Sequence, residues 1–162
     1  MASHKTALVG RPGRRKAAVR TQRQTRGVTV TAFTLDTATR IAAAGQSAAK
    51  EIGTAMNIAV VDSGGHLLHF MRMDDAWLGS VDLALKKAKT SVLFRMPSAS
   101  LGEISQPGGP VYGIERSNGG LISFGGGLPI LDADGRIVGA VGVSGGTADH
   151  DVHVAKAAVQ AY

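Results

Sequence analysis

Two segments of this chain each read as a strand, a glycine turn and a returning strand, and that doublet limits the fold more than any other feature. The first runs Met56–Asp62, turns at Ser63-Gly64-Gly65 and returns through His66–Arg72. The second runs Gly120–Leu131, turns at Asp132-Ala133-Asp134-Gly135 and returns through Arg136–Val143. Runs of β-branched and aliphatic residues bounded by Gly and Asp signal β-hairpins. Five such runs predict a sheet of about five strands. Met56–Asp62 is apolar on both faces and predicts a central strand. His66–Arg72 alternates, with His66, Leu68, Phe70 and Arg72 on one face and Leu67, His69 and Met71 on the other.

Helices separate the hairpins. Thr34 or Asp36 can cap a helix through Ala38, Ile41, Ala42, Ala48, Ala49 and Ile52, with Gly53 as its stop. Ser80 is expected to cap a second helix that presents Val81, Leu85, Ala88 and Val92 inward, leaving Lys86, Lys87 and Lys89 off that stripe. Pro97 ends it or begins a short successor. Residues Ser98–Asn118 read as a long irregular connection, and Ala148–Tyr162 as a terminal helix. Helix, hairpin, helix, loop, hairpin, helix argues an α+β sandwich with a central antiparallel sheet.

Charge divides the chain in two. Lys5, Arg11, Arg14, Arg15, Lys16, Arg20, Arg23 and Arg26 leave residues 1–27 strongly basic with no acid, although the whole chain carries only +6. Such a tail is expected to be disordered, with one domain over residues 28–162. The slightly acidic body has few aromatics for base stacking, which argues against specific nucleic-acid binding. No apolar run reaches the ~18 residues of a membrane span. No apolar export segment is recognisable either, so a cytoplasmic location is expected. With no cysteine, thiolate metal sites, cysteine nucleophiles and disulfides are excluded.

The histidines are the first chemical candidates. His66 and His69 stand three apart on one strand and face opposite sides unless a bulge intervenes. His150 and His153, at i and i+3 of the last helix, share a face as two metal ligands would. Gly145-Gly146-Thr147, at a strand-to-helix junction, offers backbone N–H groups to a carboxylate or phosphate. Asp132-Ala133-Asp134-Gly135 resembles the start of a calcium loop, but lacks its closing Glu and is accounted for as a hairpin turn. Neither a phosphate-binding glycine loop nor a serine-hydrolase elbow is present.

Several segments together resemble the haem-degrading GlcG/HbpS-like family, whose domain also forms the C-terminal part of PduO-type corrinoid adenosyltransferases. They are Val60–Leu68, Arg72–Asp74, Lys87–Thr90, Gln106–Gly109, Gly125–Ile130 and Gly139–Gly146. The resemblance covers about residues 30–162. It implies a profilin-like α/β/α sandwich, assembly into homo-oligomers, and haem binding that in some members leads to peroxide-dependent haem degradation or redox sensing.

A haem protein without cysteine needs an imidazole or similar axial donor, an apolar slot and cations for the propionates. The candidates are His66 or His150 on the iron, with His153 as a second imidazole. Arg72 or Lys87 would face a propionate, and Phe70, Met71 and Trp77 would form the walls. Two other readings stand beside it. One is a non-haem protein or accessory enzyme subunit of a catabolic pathway, binding a carboxylate at Gly145, Gly146 and Thr147. The other is an oligomeric interaction module without a ligand.

Overall fold

Thr34 caps the first helix, its side-chain oxygen accepting the Thr37 N–H at 3.2 Å, as its position before an apolar-periodic run predicts. The computed structural model describes residues 33–162. The expected basic tail at 1–27, and the start of the domain at 28, lie outside the described residues. In chain order the elements are α1 (Leu35–Glu51), β1 (Asn57–Asp62), β2 (Leu67–Arg72), α2 (Gly79–Phe94) and α3 (Ser98–Ile104). A 3-10 turn (Ile114–Arg116), β3 (Gly127–Leu131), β4 (Ile137–Ser144) and α4 (Ala148–Val159) complete the chain.

The sheet has the order β2-β1-β4-β3 and is antiparallel throughout. β1 is central and buried on both faces, which its unbroken apolar run requires. α1 and α4 cover one face over Ile41, Met56, Ile58, Val60, Val141, Val143 and Val154. α2 covers the other over Ala59, Val61, Ala84, Ala88, Val92 and Ala140. The result is the expected α/β/α sandwich, with four strands in place of five. Residues 120–126 make no strand because their N–H groups bond elsewhere: Leu121 donates to the Glu115 carbonyl and Ile122 to the Thr90 hydroxyl.

Three local readings change. A bulge between Val60 and Val61 pairs them with His69 and Leu67, skipping Leu68. Leu68 and Met71 therefore both pack on the α1/α4 core, while Phe70 packs under α2. Ser80 does not cap α2, which starts one residue earlier without a side-chain cap, and Ser80 is buried. Ala88 and Val92 of the expected stripe are buried, whereas Val81 and Leu85 are only partly so, and Ala84, Lys87 and Ser91 complete the inward face of α2. That face is chosen by size. A Cβ on Gly142 of β4 would collide with the Ala84 carbonyl, so backbone meets backbone there and only small side chains fit between.

Candidate functional site

The two hairpin turns are built alike. In each, an aspartate accepts two backbone N–H groups at 2.9 Å: Asp62 Oδ1 from Gly64 and His66, and Asp132 Oδ1 from Asp134 and Arg136. Each turn closes with a glycine at positive φ, Gly65 and Gly135. β1 and β4 are neighbours, so both turns stand at the same end of the sheet.

His66 opens the return of the first turn, just before β2. Its side chain is 81% exposed, and Nδ1 lies 3.3 Å from Asp62 Oδ2. An ionised carboxylate only accepts, so this bond puts the proton on Nδ1 and leaves the Nε2 lone pair of the neutral ring free. Burial pushes the Asp62 carboxyl up, but the N–H groups of His66 and Gly64 and the imidazole outweigh it, and its pKa falls below the usual value. Asp62 therefore stays ionised and keeps the ring oriented.

Beside this turn lies an open cleft of about 730 Å³ between the two turns and the end of α2, lined by Ser63, Val92, Arg95, Leu131, Arg136 and Ile137, with Gly135 at its edge. His66 is not one of its walls. Arg136 Nη2 is held by Asp134 at 2.8 Å.

The opposite end of the sheet carries the other candidates. Asn57 of β1 pairs there with Arg72 of β2 and Ser144 of β4, and Gly145, Gly146 and Thr147 lead into α4. The helix start is already served from within. Thr147 accepts the His150 N–H, and Asp151 Oδ1 accepts the Gly146 N–H at 3.1 Å. The protein's own carboxylate thus sits where an external anion was expected. His150 and His153 are exposed on the first turns of α4. The ends of β1 are about 17 Å apart at ~3.3 Å per residue, so His66 and His150 cannot share one iron within a chain. Phe70 lies on the α2 face, away from the α4 histidines. Arg72 and Trp77 are exposed, and Met71 packs in the α1/α4 core. His69 Nδ1 lies 3.4 Å from the Thr39 hydroxyl of α1.

Lys87 is not a surface cation. It is fully buried, with Nζ 2.6 Å from Asp151 Oδ2 and 2.9 Å from the Val143 carbonyl, under the ring of Phe124 at 4.6 Å. These partners account for its three donors. Burial lowers the Lys87 pKa, and the Asp151 hydrogen bond and charge oppose that shift. A Cβ on Gly126, at φ +115, would meet the Val143 carbonyl, Asp151 and Lys87 Nζ. The glycines at 125–127 are the window through which α2 reaches α4 past the edge strand. This pair locks the fold and is not available to a propionate. Neither Asp151 nor Phe124 is marked by periodicity, since both earn their role only by meeting Lys87 across the sheet edge.

Among the described residues, no three His, Asp or Glu side chains gather to hold a metal ion. Haem asks fewer ligands of a protein, because the porphyrin supplies four of the iron's and one oriented imidazole can serve as the axial donor. An exposed, carboxylate-held ring fits that requirement. Among the described residues, no helix is long and apolar enough to cross a membrane.

Comparison with known proteins agrees with this architecture. An uncharacterized 15.0 kDa protein in the dhaT-dhaS intergenic region of Citrobacter freundii is 38% identical over 134 residues, covering 82% of this chain and 94% of that one. The corrinoid adenosyltransferase PduO of Salmonella typhimurium is 35% identical over 114 residues, 70% of this chain but only 34% of that protein. This chain thus spans about a third of PduO. Among solved structures, the PduOC:Heme complex superposes with a TM-score of 0.76 at 32% identity, covering 81% of this chain and 95% of that one. The family model for haem-degrading protein HbpS-like matches residues 33–160. The chain belongs to the HbpS-like family of haem-degrading proteins.

Proposed function

We propose that this protein binds haem through the imidazole of His66. The observation that carries the reading is the Asp62–His66 contact, which orients an exposed ring on a turn fixed by four further hydrogen bonds. A carboxylate behind a ligating histidine fixes its tautomer and orientation, and losing such a partner typically costs ~10–100-fold in metal affinity. The solved PduOC:Heme complex and the family description support the ligand class. When bound, the iron would supply any redox chemistry, including that of the haem degradation the family's description names. This chain's part is to hold the ring, keep its proton on Nδ1 and leave an open approach.

The test is a haem titration followed by the Soret band, on the wild type and on the alanine variants of His66, His69, His150 and His153. His66→Ala is expected to abolish the shifted band, while the other three keep it. A band unchanged in His66→Ala and lost in His150→Ala would move the donor to the start of α4. No band in the wild type would contradict haem binding altogether.

A further inference from the structure

We infer that the cleft between the twin hairpin turns is a binding site for a small organic carboxylate with an apolar body. Its volume, about 730 Å³, is within the range of small-ligand sites. Val92, Leu131 and Ile137 give it an apolar floor, and Leu131 remains half exposed. Arg95, Arg136 and Ser63 line the same cleft. Among the described residues, Arg95 has no carboxylate partner, while Arg136 is anchored on one side by Asp134. The acids of the two turns, Asp62 and Asp132, accept backbone N–H groups of their own turns and form no ion pair with Arg95. A planar guanidinium fork matches a carboxylate.

Arg95 supplies an independent reason to assign the cleft a ligand. It ends α2 in the left-handed conformation, at φ 56 and ψ 35. Glycine occupies that position without strain, whereas a side chain there is disfavoured. The Ser91 carbonyl, which faces the helix end, accepts N–H groups from Arg95 and Met96. The chain therefore carries a strained arginine where a glycine would cap the helix equally well, and its side chain lines the cleft. The site requires neither iron nor imidazole and stands apart from the haem reading.

The experiment follows backbone amide signals of the full chain during titration with hexanoate, acetate and hexylamine. Hexanoate is expected to shift Ser63, Gly135, Arg136 and Ile137 saturably. Acetate, lacking the apolar body, should bind roughly tenfold or more weakly, and hexylamine should not compete. Arg95→Gly should lose hexanoate affinity by about tenfold or more while melting no lower than the wild type, which separates a lost contact from a damaged fold. Its haem titration should be unchanged. The inference is overturned if hexanoate shifts no cleft signal or shifts Gly145–His150 instead. Equal binding of hexylamine, or wild-type affinity in Arg95→Gly, also overturns it. So does movement of the cleft signals with protein concentration alone, which would assign the surface to a second copy of the chain.

Discussion

The contact between Asp62 and His66 exists because the Asp62 carboxylate folds back over its own turn. Their coupling predicts that Asp62→Ala weakens haem binding by ~10–100-fold without removing the imidazole, a change measurable by the same Soret titration. Lys87 illustrates the opposite limit. An off-stripe lysine reads as solvated, and only the approach of α4 to the edge of β3 converts it into a buried ion pair. Removing one partner leaves the other charge buried alone. Asp151→Ala should therefore destabilise by roughly 3–5 kcal/mol, and a Lys87→Met/Asp151→Leu double variant by much less. Urea unfolding of the three proteins checks both values. Glu115 adds a pH dependence. The Ser123 and Ser105 hydroxyls donate to its carboxylate and hold its pKa below the usual 4.5. Its stabilisation is then fully present above pH 4.5 and is lost as pH falls through the lowered folded value. Glu115→Gln should flatten the drop in melting temperature between pH 6 and pH 3, relative to wild type.

At the level of elements, hairpins and helices were readable because β-branched runs, Asp-Gly turns and the Thr34 cap act locally. Facing was less readable. The inward side of α2 follows from how closely β4 approaches it at Gly142, a property of the partner strand. Apolar periodicity in α2 carries no record of that distance. Gly142→Ala is accordingly expected to cost about 1–3 kcal/mol or more, since its Cβ would displace α2 backbone. Thermal melting gives the magnitude, and an unchanged melting temperature would show that α2 can lift freely. The bulge between Val60 and Val61 is equally silent in sequence. It moves Leu68 into the α1/α4 core, and strict alternation gave it to the other face. The missing fifth strand has a similar cause, for Gly125 and Gly126 serve the Lys87 window and precede β3, whose ladder begins only at Gly127.

Across the whole molecule, the sheet separates two chemically different ends. One gathers the twin turns, His66 and the arginine cleft. The other gathers Arg72, the glycine junction and the α4 histidines, where Asp151 and Thr147 already satisfy the helix start. Sequence placed donors, cations and glycines in the chain, but which of them share an end is decided by strand order, and strand order is a long-range property. Haem held by His66 would place its iron at the first of these ends. Paramagnetic broadening of backbone amide signals on addition of ferric haem measures this directly, because the effect falls steeply with distance from the metal. Selective loss of signals around Ser63–Leu67 is expected, with Gly145–His153 retained. Broadening centred on Gly145–His153, or none at all, would contradict that placement of the iron.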